Sequence, residues 1–277
     1  MLPADFQYSQ SSLQDFADCA RRFELRYIKQ LHWPAVESQP IEEREEHAVR
    51  GQLLHRMIHQ HQIGLTPDEL TSTIRDDLVA EWWATYLASA LTDLPARRYP
   101  EIALSAPLGD HRLVAKYDLL AIDPGVRAVI VDWKTSLRKP SRERLARRLQ
   151  TIVYRYVLVL AGTALNGGVP LQPEQVEMRY WFAQFPEKPE IFTYASDQFR
   201  ADGESLAALV ADIQGRAADA FALTEDRRLC QFCTYRSLCD RGEKAGNFFD
   251  VDVEDEPNTS PELDFGLDLD QVAEIEF

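Results

Sequence analysis

Residues 128–131 read Ala-Val-Ile-Val, an all-apolar run suited to a strand buried on both faces, and the run ends in Asp132-Trp133-Lys134. Side chains alternate along a strand, so Asp132 and Lys134 point to one side and Trp133 to the other. An isolated D-x-K is ordinarily a strand-end ion pair, but here the upstream sequence adds a second carboxylate. Asp123-Pro124-Gly125 is a hairpin signal, and a turn about Gly125 sets Asp118 directly opposite Asp132. Carboxylates facing each other across a ladder repel, and a divalent cation beside them removes the penalty. Hard oxygen ligands of this kind suit Mg²⁺ or Mn²⁺.

Helical and strand periodicities alternate along the rest of the chain. Leu13, Phe16, Ala20, Phe23 and Tyr27 form the stripe of a first helix opening at Ser11 or Ser12, with Ser11 and Gln14 as its capping box. After a polar connection over 34–47, helices are expected over 49–62 and 67–91. Strands follow over 101–106, 112–122 and 128–135, a long helix from Pro140-Ser141 to Ala161, strands over 175–185 and 191–194, and a helix over 197–223. The expected domain covers 1–249, with a helical region (1–98), a catalytic α/β core (99–195) and a C-terminal helix with a cysteine cluster (196–249).

Several groups stand around the carboxylates. His55 lies one turn after Gly51, with His59 a turn further, and no third zinc ligand is near that His pair. Joined to Asp118 and Asp132, His55 makes a mixed nitrogen and oxygen set, which tilts the preference towards Mn²⁺. On the long helix, Leu145, Leu149, Ile152, Tyr156 and Leu160 share an apolar face, while Arg147, Gln150 and Tyr154 share another. Arg138, Lys139, Arg142, Arg144, Arg147 and Arg148 are six basic residues against the single Glu143 over 138–148, a stretch suited to docking phosphates.

Composition constrains the partners. The 277-residue chain carries a net charge of −15, but residues 250–277 contain eleven Asp or Glu and no Lys or Arg. The rest is nearly balanced, so overall acidity does not exclude nucleic acid. The acidic stretch is expected to be a disordered tail, either solvating, docking on a basic pocket of a partner protein, or mimicking DNA over the chain's own arginines. No apolar run approaches the ~18 residues of a membrane span, and the opening MLPADFQYSQ lacks the pattern of a secretory leader. A cytoplasmic protein without membrane contact is expected. Of the four cysteines, Cys230, Cys233 and Cys239 are spaced C-x2-C-x5-C and Cys19 is far away, a pattern of metal or cluster ligation rather than disulfides.

Taken in order, these motifs resemble the RecB/AddB-type branch of the PD-(D/E)XK nuclease superfamily, and are similar to its iron–sulfur members, including the CRISPR-adaptation exonucleases. The likeness rests on Ser12-Leu13, Phe16, Cys19, Arg22-Phe23 and Tyr27 in the first helix; on Gly51 and His55; on Glu101 at an acidic strand position; on Asp118 and Asp132-x-Lys134; on Gln150 and Tyr154; and on the three terminal cysteines. Ala20 stands where proline is usual, and Ala115-Lys116 where a glycine commonly precedes the aspartate. The resemblance implies a restriction-endonuclease-like α/β core, a mixed sheet flanked by helices. It implies DNA hydrolysis, exonucleolytic rather than endonucleolytic, on single-stranded or end-containing DNA in repair, recombination or CRISPR-type processing. His55, Asp118, Asp132 and the Trp133 carbonyl would hold Mg²⁺ or Mn²⁺, Lys134 would orient water or stabilise the transition state, and Gln150 and Tyr154 would position the strand. Cys19, Cys230, Cys233 and Cys239 would hold a 4Fe–4S cluster, for which Zn²⁺ is the alternative. A scaffold protein of the same fold with weak catalysis is the rival reading.

Overall fold

The computed structural model describes residues 2, 3, 5–32, 39–89, 93–217 and 220–242, with backbone alone for 39–44. The expected acidic tail lies outside the described residues. In chain order the elements are β1 (Gln7–Ser9), α1 (Gln10–Asp18), α2 (Ala20–Phe23), a π-helical turn (Glu24–Ile28), α3 (Gln39–Gln62), α4 (Pro67–Thr71) and α5 (Asp77–Ala88). There follow β2 (Arg97–Leu108), β3 (His111–Asp123), β4 (Arg127–Lys134), α6 (Arg142–Arg147), α7 (Leu149–Ala161), β5 (Val176–Phe182), β6 (Glu190–Thr193) and α8 (Ser196–Gly215).

The strands form one mixed sheet in the order β1-β3-β4-β5-β6, with β2 paired along the other edge of β3. The β3–β4 hairpin turns through Pro124-Gly125, where Gly125 takes the positive φ of 77° that its lack of a Cβ permits. Its register matches the turn read from the sequence, from Asp123 opposite Arg127 to Leu119 opposite Val131. β4 then runs parallel to β5, setting Asp132 beside Tyr180.

The sheet has an apolar layer on each face. Leu120, Ile122, Ala128, Ile130 and Met178 pack with residues of α1, α7 and α8. Leu119, Ala121, Val129, Val131, Trp133 and Trp181 pack with Leu54, Met57 and Ile58 of α3 and Trp82, Trp83 and Tyr86 of α5. Ala128, Val129, Ile130 and Val131 are all fully buried, as the run of four apolar residues requires. This is the expected α/β architecture of a mixed sheet flanked by helices. No helix among the described residues is long and apolar enough to cross a membrane.

Several boundaries differ from the sequence reading for local reasons. The first helix starts at Gln10 because Ser9, not Ser11, is its N-cap: Ser9 Oγ accepts the Ser12 N–H while Ser12 Oγ accepts that of Ser9. It breaks at Cys19, whose backbone is extended. α3 begins ten residues early and takes up part of the expected connection. The helix expected over 67–91 is two, because Asp76 starts a new N-cap by accepting the Leu78 and Val79 N–H groups. The long helix after Ser141 breaks at Arg148, which has ψ 136°. That break rotates α7, so Val153, Tyr154, Val157 and Leu158 face the core while Leu160 is exposed.

The N-terminal helices are tied down by a buried ion cluster. Asp15, 1% exposed, lies 2.8 Å from Arg22 Nε and 3.2 Å from Arg26 Nη1, and accepts the Tyr27 hydroxyl. Arg22 also reaches Asp18 at 2.6 Å. Removing one member of a buried pair leaves an uncompensated charge, so Asp15→Ala should cost about 3 kcal/mol. The check is denaturant unfolding, where the midpoint should fall without a change in slope.

Candidate active site

The hairpin delivers the two aspartates to one place, but not as a simple facing pair. The β3–β4 ladder ends at Leu119 opposite Val131. One step on, the Asp118 side chain takes the next donor, accepting the Trp133 backbone N–H on Oδ2 at 2.9 Å. Asp118 therefore sits where β3 parts from β4, held by the strand that carries Asp132. Asp132 and Lys134 project towards α7 and Trp133 packs under α3 and α5, the alternation expected of a strand.

Asp132, 2% exposed, is held on both oxygens. Gln150 Nε2 donates to Oδ1 at 2.7 Å, and Lys134 Nζ lies 2.8 Å from Oδ2. The same Lys134 ammonium donates to Gln150 Oε1 at 3.1 Å, closing a triangle of Asp132, Lys134 and Gln150. Gln150 is steadied from below by Tyr180, whose hydroxyl reaches Gln150 Oε1 at 3.5 Å and shares a 2.7 Å hydrogen bond with Thr151 Oγ1. Burial, reinforced by the Asp132 charge, holds the Tyr180 phenol neutral. The β4–β5 register that brings Tyr180 beside Asp132 joins segments distant in sequence, which is why sequence reading missed it.

On the far side stand His55 and Glu101. His55 Nδ1 is 3.6 Å from Asp118 Oδ2. Burial draws the imidazole pKa down, but Asp118 outweighs it and holds the value above normal, while burial and His55 act oppositely on Asp118, which ends below its ordinary value. Asp132 is raised by burial, and Asp118 pushes the same way against Lys134. Glu101 joins this group through an unusual backbone. Its φ of 54° interrupts the β2–β3 ladder between the Pro100–Leu119 and Ile102–Tyr117 pairs. Ligand atoms of His55, Glu101 and Asp118 lie within 4.8 Å of one another. One imidazole with clustered carboxylates is a donor set that fits Mg²⁺ or Mn²⁺, and the buried Asp132 beside the half-buried Asp118 calls for positive charge.

Helix α3 reaches His55 to the site because it lies very close to the end of β4. His47 Nε2 meets the Thr135 carbonyl at 2.9 Å, and a Cβ on Gly51 would stand 2.8 Å from Thr135 Oγ1. Arg50 pairs with Asp76 at 2.8 Å and joins the same helix to the cap of α5.

The remaining predicted residues divide. Tyr154 is 5% exposed with its ring against Tyr117, so it packs α7 onto β3 and is not on an exposed polar face. Lys139 and Arg142 both pair with Glu190, and Arg142 lies over the Phe192 ring, so they brace β6. Arg138, Arg144 and Arg147 are exposed and Arg148 is half-buried. The four cysteines converge from both ends of the described chain, with Cys19 at the α1–α2 break and Cys230 in a short 3-10 turn. Burial pushes the thiols of Cys230, Cys233 and Cys239 up, Cys233 to about 11, and the neighbouring Cys19 acts in the same direction on each. Four clustered thiols suit a soft metal or an iron–sulfur cluster, and Arg22 and Arg241 lie close enough to offset thiolate charge. The two chain segments are also joined directly, by Arg21 N–H to the Ala222 carbonyl at 3.0 Å and by the Tyr235 hydroxyl to the Leu31 carbonyl at 2.8 Å.

Residues 7–240 match the family model of the PD-(D/E)XK nuclease superfamily. No curated protein matches. Among solved structures, a candidate exonuclease from Eubacterium rectale is similar with a TM-score of 0.48 and 11% identity, over 76% of this chain and 80% of that one. The protein SSO0001 is similar with a TM-score of 0.38 and 11% identity, over 82% of this chain and 84% of that one.

Gly51→Ala tests the close approach of α3. In an exposed helix interior this change stabilises by about 1 kcal/mol. Here the contact with Thr135 should reverse the sign, lowering the thermal midpoint and weakening Mn²⁺ binding. Adding Thr135→Ala should recover both, a coupling that a double-mutant cycle measures.

Proposed function

The chain belongs to the PD-(D/E)XK nuclease superfamily, and we propose that within it the protein is a divalent-metal-dependent deoxyribonuclease that trims DNA from an end. The observation that carries this reading is the gathering of groups from α3, β2, β3 and β4: His55, Glu101 and Asp118 present ligand atoms within 4.8 Å of one another, and Asp132, paired with Lys134, lies near enough to Asp118 and His55 for their charges to interact. His55, Glu101, Asp118 and Asp132 would hold Mg²⁺ or Mn²⁺, with the Trp133 carbonyl a further donor. Such a cation supplies Lewis-acid stabilisation of phosphoryl oxygens and acidifies water.

The residues of the chain do the rest. Lys134 is a fixed positive charge, braced by Asp132 and Gln150 so that its ammonium needs little reorganisation when negative charge develops on the phosphoryl group. Gln150 keeps Asp132 and Lys134 in register, and Tyr180 and Thr151 keep Gln150 in place. Tyr154 supports that helix from the core. Arg138, Arg144, Arg147 and Arg148 would grip backbone phosphates, without sequence preference. Single-stranded or end-containing DNA is the substrate class, in repair, recombination or CRISPR-type processing. Cys19, Cys230, Cys233 and Cys239 would hold a 4Fe–4S cluster that reinforces the direct ties between the two ends of the domain.

End-labelled single- and double-stranded DNA with Mg²⁺, Mn²⁺ or chelator tests the chemistry. Chelator should stop cleavage, and Asp132→Ala or Lys134→Ala should lower kcat by at least about 100-fold while DNA affinity stays near normal. Full activity in either variant would overturn the assignment.

The cysteine site has its own test. Cys19→Ala and Cys233→Ala should lose iron, sulfide and visible absorbance together, and each should lower the thermal midpoint. Closing a loop of this length restricts the unfolded chain by a few kcal/mol, roughly, in the chain-entropy picture. A colourless wild-type protein containing zinc would replace the cluster with Zn²⁺.

A further inference from the structure

We infer that Lys116 is a substrate-positioning residue, and that its ion pair with Glu101 is exchanged when a divalent cation and a DNA phosphate enter the site together; this rests on the metal-dependent nuclease reading above. Lys116 and Asp118 flank Tyr117 on β3, and both side chains reach Glu101, Lys116 as an ion pair and Asp118 through the group of ligand atoms it shares with His55. Lys116 Nζ stands 2.7 Å from Glu101 Oε2, with 49% of the lysine side chain and 26% of the glutamate side chain exposed. Glu101 is also the carboxylate that presents a ligand atom within 4.8 Å of those of His55 and Asp118. The same side chain therefore serves a lysine on its outer side and the cation position on its inner side.

The backbone supports a special task for Glu101. Its left-handed φ of 54° is unfavourable for a residue with a Cβ, and it lies in mid-strand where no turn demands it. The two lysines of the site also differ in setting. Lys134 is locked between Asp132 and Gln150, which suits a fixed catalytic charge. Lys116 is half-exposed at the rim, bound to a carboxylate that a cation would claim.

Two consequences follow from charge. Without DNA, the Lys116 ammonium opposes a cation at Glu101, because both compete for the same carboxylate. With DNA, a phosphate replaces Glu101 as the partner of Lys116, so each ligand removes a cost of binding the other. Binding of cation and DNA is then coupled through this side chain.

The experiment compares wild type, Lys116→Gln and Lys116→Arg. Mn²⁺ is titrated calorimetrically without DNA, and KM and kcat are measured on end-labelled single-stranded DNA at saturating Mn²⁺. Lys116→Gln should bind Mn²⁺ about three-fold tighter, the size expected of a partly exposed ion pair. Its KM should rise several-fold with little change in kcat, and Lys116→Arg should restore both properties. A purely structural salt bridge would leave KM unchanged, since Lys116 would then make no contact with DNA, whatever its loss does to Mn²⁺ binding. Unchanged or weaker Mn²⁺ binding in Lys116→Gln, or an unchanged KM, overturns the inference. The titration needs no turnover, so it reports on Lys116 even if wild type fails to cleave DNA, the result that would overturn the nuclease reading instead.

Discussion

Trp133 donates its backbone N–H to the Asp118 carboxylate at the point where β3 and β4 stop pairing. That hydrogen bond replaces the next rung of the ladder and fixes a carboxylate in the fork between two strands. It also anchors Asp118 to the residue between Asp132 and Lys134. The cost of holding acidic groups so near one another is met by charge and hydrogen bonding from three directions: His55 from α3, Lys134 within β4 and Gln150 from α7. The surrounding fold can be understood as the means of delivering those partners.

Each delivery depends on a local departure from regularity. Gly51 lets α3 approach Thr135 closely enough to bring His55 to Asp118. The break at Arg148 starts α7 anew, so that Gln150 is in its first turn and points at Asp132, while Val153 and Val157 remain in the core. An unbroken helix from Ser141 would have carried a different phase to that face. The left-handed Glu101 breaks the β2–β3 ladder and brings a further carboxylate to the group. Regular elements supply rigidity, and the interruptions supply aim.

What could be read in the sequence follows from the range of the signals involved. Period-two alternation placed Asp132 and Lys134 on one face, and the turn at Gly125 placed Asp118 nearby, because both effects act over a few residues. Helical spacing set His55 one turn after Gly51 but could not join it to the aspartates; that link came only from the family resemblance. Glu101 could be marked as an acidic strand residue, but its joining the group depends on a backbone conformation that no neighbouring Gly or Asn announces. Tyr180 is brought to Gln150 and its neighbour Thr151 by pairing between strands joined through α6 and α7, and composition carries no trace of that register. The partners of the basic stretch were hidden for a related reason. Lys139 and Arg142 look like solvated cations until β6 places Glu190 beside them.

A series of polar contacts runs from Arg22, near the cysteines, to the start of α7 beside the carboxylate site. Arg22, close enough to Cys233 to feel its charge, reaches Asp18 at 2.6 Å, and Asp18 accepts from Gln14 Nε2 at 2.7 Å. Gln14 Oε1 then accepts the N–H of Leu149 at 3.3 Å, the first residue of α7, which has no side-chain cap of its own. The next residue is Gln150. A helix start without a local cap must satisfy its free N–H groups elsewhere, and here α1 provides the acceptor. The orientation of the residue that holds Asp132 and Lys134 is therefore tied to α1, the helix that ends at Cys19.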